Sequence, residues 1–374
     1  MATYTNLGDF LTACANSIRA AEGSSGTIVG NDIPDRISAL GGSVIPSDLP
    51  SDGKTRICYK IPSDAQTHGR SITLMFYQAT SSTSTSVDWG DSSTATSSSG
   101  SGRKTLTHTY SSTGEHIVTI TITAGTIYFG GGSTYTIYSS YAATSSTSYL
   151  RPYIQWIVLG TGVTKLDTYA LANCNELKEI RFPSSGFVTI GNNAFRHCIS
   201  LKKVVIPNTV TTLSTYTFYS CYSLKEITFP DNTSIKTIPD YMLYQCMAIE
   251  KLSFPSRITA INTYALYSIQ CLKEITLPST MTSIPTYMLY APANLTTLSI
   301  PSTVTSIAAN GLSGMYSLQK LRFNSATPPT VAASSAFTDL SGSCIISVPT
   351  GKLSAYTSAA NYPSSSTYTY IEES

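Results

Sequence analysis

The chain has 374 residues, enough for two or three domains. Hydrophobic residues make up 41% and charged residues 12%, which is typical of folded domains and not of charged disordered tails. The net charge of +2 gives no electrostatic reason to expect a nucleic-acid partner or an anionic membrane. No run of 18 apolar residues occurs, so no membrane insertion is expected.

Residues 1–42 have the pattern of two short helices. Between residues 6 and 22, the apolar residues fall on one face of a 3.6-residue period: Leu7, Phe10, Leu11, Cys14 and Ile18. Pro34 lies in the first turn of a second predicted helix, which ends at Gly41. Two such helices bury little surface alone, so they are expected to dock on a partner or to self-associate into a homo-oligomer.

The order of helix, SIRAAEG, SSGTI, DIP and RISAL in this segment resembles a small module at the start of phage tail and other virion proteins. The resemblance implies attachment to other virion or tail proteins through residues 1–42. An ordinary helical cap on the next domain is the alternative. The segment lacks the basic and apolar regions of a signal peptide, so the protein is expected to be made in the cytosol and not exported by the general route. Residues 43–53 are predicted to form a linker.

Residues 54–148 are predicted to form a β-sandwich. Short runs rich in β-branched and aromatic residues alternate with turn sequences: RICYKI, SITLMFYQ, SVDWG, KTLTHTY and HIVTITIT. VDWGDSS and, from His108, HTYSSTGEHIVTITI resemble the polycystic-kidney-disease-type (PKD-type) immunoglobulin-like fold. This resemblance implies a spacer or adhesion module with Trp89 in the core and with Asp88 and Asp91 capping a turn. A metal or catalytic group made of Asp88, Asp91 and His108 is the alternative.

Residues 149–374 contain an internal repeat. Seven copies of a segment such as LKEITFP begin 24, 23, 25, 23, 23 and 23 residues apart, at Leu177, Leu201, Leu224, Ile249, Leu272, Leu295 and Leu318. Between them recurs a second segment of the type I-x-x-x-A-F-x-x-C. Neither half buries its apolar face alone, so the units are expected to stack into a solenoid. The pattern resembles the BspA-like class of leucine-rich repeats, which implies a parallel β-sheet and α/β-type repeats.

The array is expected to extend beyond these seven copies. IQWIVLG, from Ile154, supplies an earlier strand, and SCIISVP, from Ser343, supplies a ninth. The tail from about residue 340 to 374 breaks the period and is predicted to be a C-terminal cap with a helix over 352–360.

One cysteine precedes each of four strands: Cys174, Cys198, Cys221 and Cys246. Eight cysteines in a chain of this length do not make a disulfide scaffold. Pairs of the CxxC type are absent, so small buried thiols are expected and a redox or metal ladder is the alternative. We expect no metal ion and no cofactor.

The outward positions of the repeats carry two kinds of residue. On the strands, lysine and glutamate alternate, as in LKEI, and a charge-paired face is usually a solvated surface. On the second segments, tyrosine recurs at two positions: Tyr169, Tyr216, Tyr241, Tyr264 and Tyr287, and, three residues further on, Tyr219, Tyr244, Tyr267 and Tyr290. These nine are the candidate ligand-binding residues, through ring faces and hydroxyl groups. The alternative is that one row packs in the core and the other coats the outside.

No phosphate-binding loop, HExxH, GxSxG or paired-cysteine motif is present, so the protein is predicted not to be an enzyme, with no catalytic residues. The predicted function is recognition or adhesion. The first hypothesis is a phage tail-associated or other virion protein, assembled in the host cytoplasm, that binds a glycan or protein receptor on the host cell surface. A bacterial cell-surface or secreted BspA-like adhesin and a purely structural virion component are the alternatives.

Overall fold

The computed structural model describes residues 45–46, 49–61, 70–130, 137–139 and 154–373. The chain divides into two units: the first runs to Val210 and includes Cys221–Leu224, and the second consists of Thr211–Ser220 and Lys225 onward. The predicted helices of residues 1–42 lie outside the described residues. Within the described residues, no helix has the length and apolar character needed to cross a membrane.

The first unit begins with antiparallel strands. Along Gly114–Ala124, His116, Val118 and Ile120 are buried while the residues between them are less so, which is the alternation of a strand with one face on a core. The strands are β1 Thr55–Ile61, β2 Ser71–Gln78, β3 Ser84–Asp88, β4 Thr96–Ser99, β5 Gly102–Thr109, β6 Gly114–Ala124, β7 Ile127–Phe129 and β8 Ile137–Ser139. In one sheet β6 pairs with β1 and β3, and β3 with β4. In the other, β2 pairs with β5, β7 and β8.

Aromatic rings form part of the buried core around β3, β5 and β6. Trp89 is 1% exposed, and its ring stacks on that of His108 with centroids 4.9 Å apart. The Tyr110 hydroxyl donates a hydrogen bond of 2.9 Å to the carbonyl oxygen of Trp89. Trp89 therefore lies in the core, as predicted.

Two aspartates close the turn after β3. Asp88 accepts a hydrogen bond from the backbone N–H of Gly90 at 2.9 Å, and Asp91 accepts one from Ser93 at 3.1 Å. The other Asp91 carboxylate oxygen lies 2.7 Å from His108 Nε2. Burial alone raises the pKa of Asp91, but the hydrogen bonds from Ser93 and His108 outweigh it and lower that pKa to about 2. The predicted capping role of both aspartates is confirmed.

The two sheets of the first unit continue into the first repeats through β9 Ile154–Val158, β10 Val163–Leu166, β11 Glu179–Arg181, β12 Thr189–Ile190 and β13 Lys203–Val205. β9 pairs antiparallel with β1, and β11 and β13 then follow in parallel. In the other sheet, β10 pairs in parallel with β7, and β12 with β10. The predicted domain boundary between residues 148 and 149 stays a prediction.

The second unit is a β-solenoid in which each repeat contributes short strands. These are β14 Thr212–Leu213, β15 Glu226–Thr228, β16 Thr237–Ile238, β17 Lys251–Leu252, β18 Ala260–Ile261, β19 Glu274–Ile275, β20 Ser283–Ile284, β21 Thr297–Ile300, β22 Ser306–Ile307, β23 Lys320–Phe323, β24 Thr330–Val331, β25 Ile345–Pro349 and β26 Thr369–Glu373. Parallel pairing joins β16 with β18 and β17 with β19. It also joins β20 with β22 and β22 with β24, and it links β21 to β23, β23 to β25 and β25 to β26. Apolar side chains such as Leu252, Ile261 and Leu266 fill the interior.

The prediction of α/β-type repeats is wrong, because the second half of each repeat is a series of turns. Among the described residues of the second unit, the helices are a 3₁₀ helix, Ser334–Phe337, and α1, Leu353–Thr357. Two residues in each repeat, four positions apart, have a left-handed backbone conformation. A right-handed helix cannot continue through such a residue. These residues are Tyr216, Ser220, Tyr241, Gln245, Tyr264, Ser268, Tyr287 and Ala291.

The C-terminal tail covers the last repeats. Helix α1 is shorter than the predicted span of 352–360, and it buries Tyr356. The Tyr356 ring lies 5.3 Å from that of Phe323, and its hydroxyl donates a hydrogen bond of 2.7 Å to the Ser325 carbonyl oxygen. The predicted ninth strand is β25, whereas β26 was not predicted.

Candidate functional site: two tyrosine columns

Backbone hydrogen bonds hold the turns of successive repeats in register. The N–H of Tyr241 donates to the Thr263 carbonyl oxygen at 3.2 Å, and the N–H of Gln245 donates to that of Tyr267 at 2.8 Å. Backbone segments that are hydrogen-bonded in this way lie one strand spacing apart, about 4.7–4.9 Å. The same side chain in successive repeats must therefore lie at that distance.

Four tyrosines of the second unit form the first column: Tyr216, Tyr241, Tyr264 and Tyr287. Their successive ring centroids lie 4.5, 4.7 and 5.0 Å apart, with interplanar angles of 7°, 8° and 27°. All four side chains are half-buried. The first column is therefore a continuous stack of rings at the surface.

The second column stands beside the first and consists of Tyr219, Tyr244, Tyr267 and Tyr290. Its successive centroids are each 4.7 Å apart, with interplanar angles of 3°, 4° and 12°. Within each repeat, the rings of the two columns lie 5.4–5.8 Å apart. These residues are half-buried as well, so neither column is a core row.

The stacking decides which part of each ring a ligand can reach. A ring between two parallel neighbours less than about 5 Å away has both faces covered, as Tyr241 does between Tyr216 and Tyr264. Its exposed part is then the edge that carries the hydroxyl group. The expectation that ligands contact ring faces does not fit the inner rings of the columns.

Burial affects tyrosine hydroxyl groups in both columns. Burial, followed by the neighbouring tyrosines, raises the pKa of Tyr267 to about 12 and also raises that of Tyr244. Burial also raises the pKa of Tyr241 in the first column. In the described part of the chain, no hydroxyl of either column is a buried polar atom that lacks a hydrogen-bond partner.

The first column occupies a strained backbone position. Tyr216, Tyr241 and Tyr264 have φ of 57–58°, and Tyr287 has φ of 50°. A bulky residue in this left-handed region costs about 1–2 kcal/mol. Asn310 holds the same repeat position with φ of 58°, and asparagine adopts this conformation readily. Tyrosine therefore stands in four successive repeats where a less strained residue fits the same backbone.

The columns end at a glycine. A Cβ atom on Gly314, whose φ is +72°, would lie 2.9 Å from the Tyr290 ring, so this close contact needs glycine. Tyr316 follows two residues later in the chain, and its hydroxyl donates a hydrogen bond of 3.1 Å to the Asp339 carboxylate. Hydrogen bonds with Tyr290 and Asp339 raise the pKa of Tyr316 to about 12. Tyr316 was not among the predicted candidates, because it occupies a different repeat position from the column tyrosines.

The remaining predicted site residue, Tyr169, lies in the first unit, also with a left-handed backbone at φ of 58°. The eight tyrosines of the two columns all belong to the second unit. The prediction thus covers two separate places in the chain, and the structure groups eight of its nine members.

The strand side of the second unit carries paired charges, as expected. Lys251 lies 2.6 Å from Glu274, and Lys273 lies 2.8 Å from Glu250, with all four side chains more than half exposed. Exposed pairs of this kind contribute about 0–1 kcal/mol each. This side is therefore a solvated charged surface.

The strand side of the first unit has a different charge balance. A groove of about 690 Å³ is lined by Lys178, Arg181, Lys202 and Lys203 and by a single acidic residue, Glu179. Arg181 Nε lies 3.2 Å from Glu179 Oε1. Burial lowers the pKa of Lys178. The groove therefore has an excess of positive charge, which the alternating Lys and Glu of the other repeats did not indicate.

The repeat cysteines are buried thiols, as predicted. Three of them donate a hydrogen bond of 3.1–3.2 Å to a carbonyl oxygen of the preceding repeat: Cys198 to Leu171, Cys221 to Phe195 and Cys246 to Phe218. They hold neighbouring repeats together. Among the described residues, no three His, Cys, Asp or Glu side chains form a group suited to a metal ion.

Two overlapping segments of the chain, residues 145–269 and 236–352, match the profile described as BspA type leucine rich repeat region (6 copies). Together they cover more than half of the sequence. No curated protein matches the chain.

The chain is also similar to solved structures. One is a leucine-rich repeat protein from Bacteroides ovatus, with 18% identity over 52% of this chain and 55% of that one, and a TM-score of 0.43. A second is a leucine rich cell surface protein from Faecalibacterium prausnitzii, with 19% identity over 55% and 62% of the two chains and a TM-score of 0.39. A third is the T. pallidum leucine rich repeat protein, with 24% identity over 44% and 77% and a TM-score of 0.40. The matched region thus spans less than two thirds of the first two proteins.

Proposed function

Because the chain belongs to the BspA-type leucine-rich repeat family, we propose that it is a non-enzymatic recognition protein that binds a cell-surface ligand through its two tyrosine columns. Solenoids of this kind present a long rigid surface with the same side chains at regular intervals. Tyrosine suits such a surface because it combines a large rigid ring with a hydrogen-bonding group.

The strained backbone of the first column carries the proposal. Backbone strain of about 1–2 kcal/mol per residue persists where the side chain contributes to stability or to function. Ring stacking contributes about 0.5–1.5 kcal/mol beyond the area that each ring buries, so it offsets the strain and the burial stabilises the fold. Asn310 nevertheless shows that a less strained residue fits the equivalent position, so the fold itself does not require tyrosine in four successive repeats. Ligand binding is the role that we assign to them.

The proposed setting is a phage tail-associated or other virion protein that binds the host cell surface. The virion-like pattern of residues 1–42 supports this setting, and those residues would attach the chain to other tail proteins. Residues 54–148 are proposed as a PKD-type spacer, in keeping with the buried Trp89 and Tyr110 between antiparallel strands. Membership of the repeat family supports a bacterial cell-surface adhesin equally well.

The test uses the labelled full-length chain on a panel of bacterial cells, with flow cytometry as the measurement. We expect saturable binding to some strains, and at least a tenfold loss of binding when Tyr241 and Tyr264 are changed to asparagine, which adopts the left-handed backbone readily. The circular dichroism spectrum of the variant checks that it remains folded. If the unaltered chain binds no strain and does not compete with any phage for adsorption, recognition is the wrong function and a structural virion role replaces it.

A further inference from the structure

We propose that the ligand of the two columns is a neutral linear glycan that runs along the first column and hydrogen-bonds to its tyrosine hydroxyl groups. This inference rests on the proposed function, because it names the ligand class of the same site. It follows from three properties of the columns: their covered faces, their spacing and their lack of charge.

The covered faces determine the type of contact. Sugars often pack on an open aromatic face, but Tyr241 and Tyr264 each lie between two stacked neighbours. In each repeat, the part of the tyrosine that a ligand can contact is the ring edge with its hydroxyl group. A phenol hydroxyl both donates and accepts hydrogen bonds. A ligand that is itself covered with hydroxyl groups, each also a donor and an acceptor, complements such a row.

The spacing between successive tyrosines favours a polymeric ligand that makes one contact with each repeat. The hydroxyl-bearing rings of the first column recur every 4.5–5.0 Å over four repeats. An extended peptide advances about 3.3 Å per residue and places side chains on one face every second residue, so it falls out of register with the column. In a linear glycan of six-membered sugars, the length of one sugar unit is instead close to the spacing between successive repeats. A globular protein partner has no reason to present one group at this regular interval.

The absence of charge favours a neutral ligand. The turn segments 213–221, 238–246, 261–269 and 284–292 contain a single ionisable acid or base other than tyrosine and cysteine, Asp240. Burial raises the pKa of Tyr267 to about 12 and raises that of Tyr241, so these phenols are uncharged at neutral pH. A polyanionic glycan would find no cation in these segments to pair with.

The experiment measures binding of the full-length chain to immobilised neutral linear glycans (glucans, mannans, galactans and N-acetylglucosamine polymers) and to matched polyuronates. Oligosaccharides of two to eight units of any bound glycan are then titrated by calorimetry. We expect at least one neutral glycan to bind, no polyuronate to bind better, and the affinity to rise with length and level off near four to five units.

The decisive variant changes Tyr216, Tyr241, Tyr264 and Tyr287 together to phenylalanine. It removes four hydroxyl groups and keeps the rings, the stacking and the backbone. Each lost hydrogen bond is expected to weaken binding about 2- to 10-fold, so the quadruple variant loses at least about 16-fold. The matched comparison changes Tyr219, Tyr244, Tyr267 and Tyr290 to phenylalanine, and we expect it to lose less binding than the first-column variant does, because the glycan is proposed to run along the first column.

The outcomes separate this inference from the proposed function. If the chain binds cells but no neutral glycan, the ligand class is wrong while the recognition function stands. If the first-column phenylalanine variant binds glycan as well as the unaltered chain does, the hydroxyl contact is wrong. Binding to neither cells nor glycans contradicts both proposals.

Discussion

The strand side and the turn side of the second unit share one backbone period but differ in chemistry. On the strand side, the exposed pairs Lys251–Glu274 and Lys273–Glu250 neutralise each other on an unstrained backbone. On the turn side, half-buried rings stack on each other and four of them occupy left-handed positions. The strand motif, which is the most regular motif in the sequence, therefore builds the scaffold. The turn side is the better candidate for function, because its tyrosines occupy a backbone conformation that tyrosine disfavours.

The largest effect on stability is expected from Tyr264→Ala. This change removes two stacking neighbours within the column, one ring contact across the columns and the area that the ring buries. We expect a loss of about 2–3 kcal/mol in the free energy of unfolding, measured by urea denaturation. A loss below about 0.5 kcal/mol would mean that the columns do not stabilise the fold.

A smaller effect is expected from high pH. The folded-state pKa of Tyr267 is raised to about 12, above the unfolded value of about 10. The protonated phenol therefore stabilises the fold fully below pH 10, and this stabilisation is lost as the pH rises through 12. After allowance for solvent screening, we expect Tyr267 to account for about 1–2 kcal/mol of the loss. Tyr267→Phe should show that much less alkaline destabilisation, and an unchanged pH profile would contradict the assignment.

A difference of about 1 kcal/mol is expected between two substitutions at one position. Tyr264→Asn and Tyr264→Ala lose the same ring contacts, but only asparagine relieves the left-handed backbone. The asparagine variant should therefore be the more stable of the two by thermal and urea denaturation. Equal stability would show that the left-handed backbone costs tyrosine less than about 1 kcal/mol.

The smallest effect is expected on the strand side. Lys273→Ala breaks the exposed pair with Glu250 and should change the free energy of unfolding by less than about 0.5 kcal/mol. It should also leave binding to cells unchanged. A marked loss of binding in this variant would place the recognition surface on the strand side and reverse the comparison.

Much of the repeat architecture followed from the sequence because the pattern is local. Leu252 and Ile261 are buried as the apolar period required, and the four repeat cysteines are buried thiols. The absence of helix in the turns was missed because tyrosine, glutamine and serine at left-handed positions carry no glycine signal. Strand β26 was missed because it lies outside the period. The candidate residues followed from repetition, but their mode of contact did not.

The sequence by itself determined the period of the solenoid, its apolar interior and the recurrence of tyrosine at two positions per repeat. These properties depend on residue type and spacing alone. Only the tertiary structure decided that the tyrosines stack face to face, that their hydroxyl edges are the accessible part, and that one column is strained. The physical reason is that hydrogen bonds between repeats, such as Tyr241 to Thr263, set the spacing between repeats, and that spacing closes the ring faces.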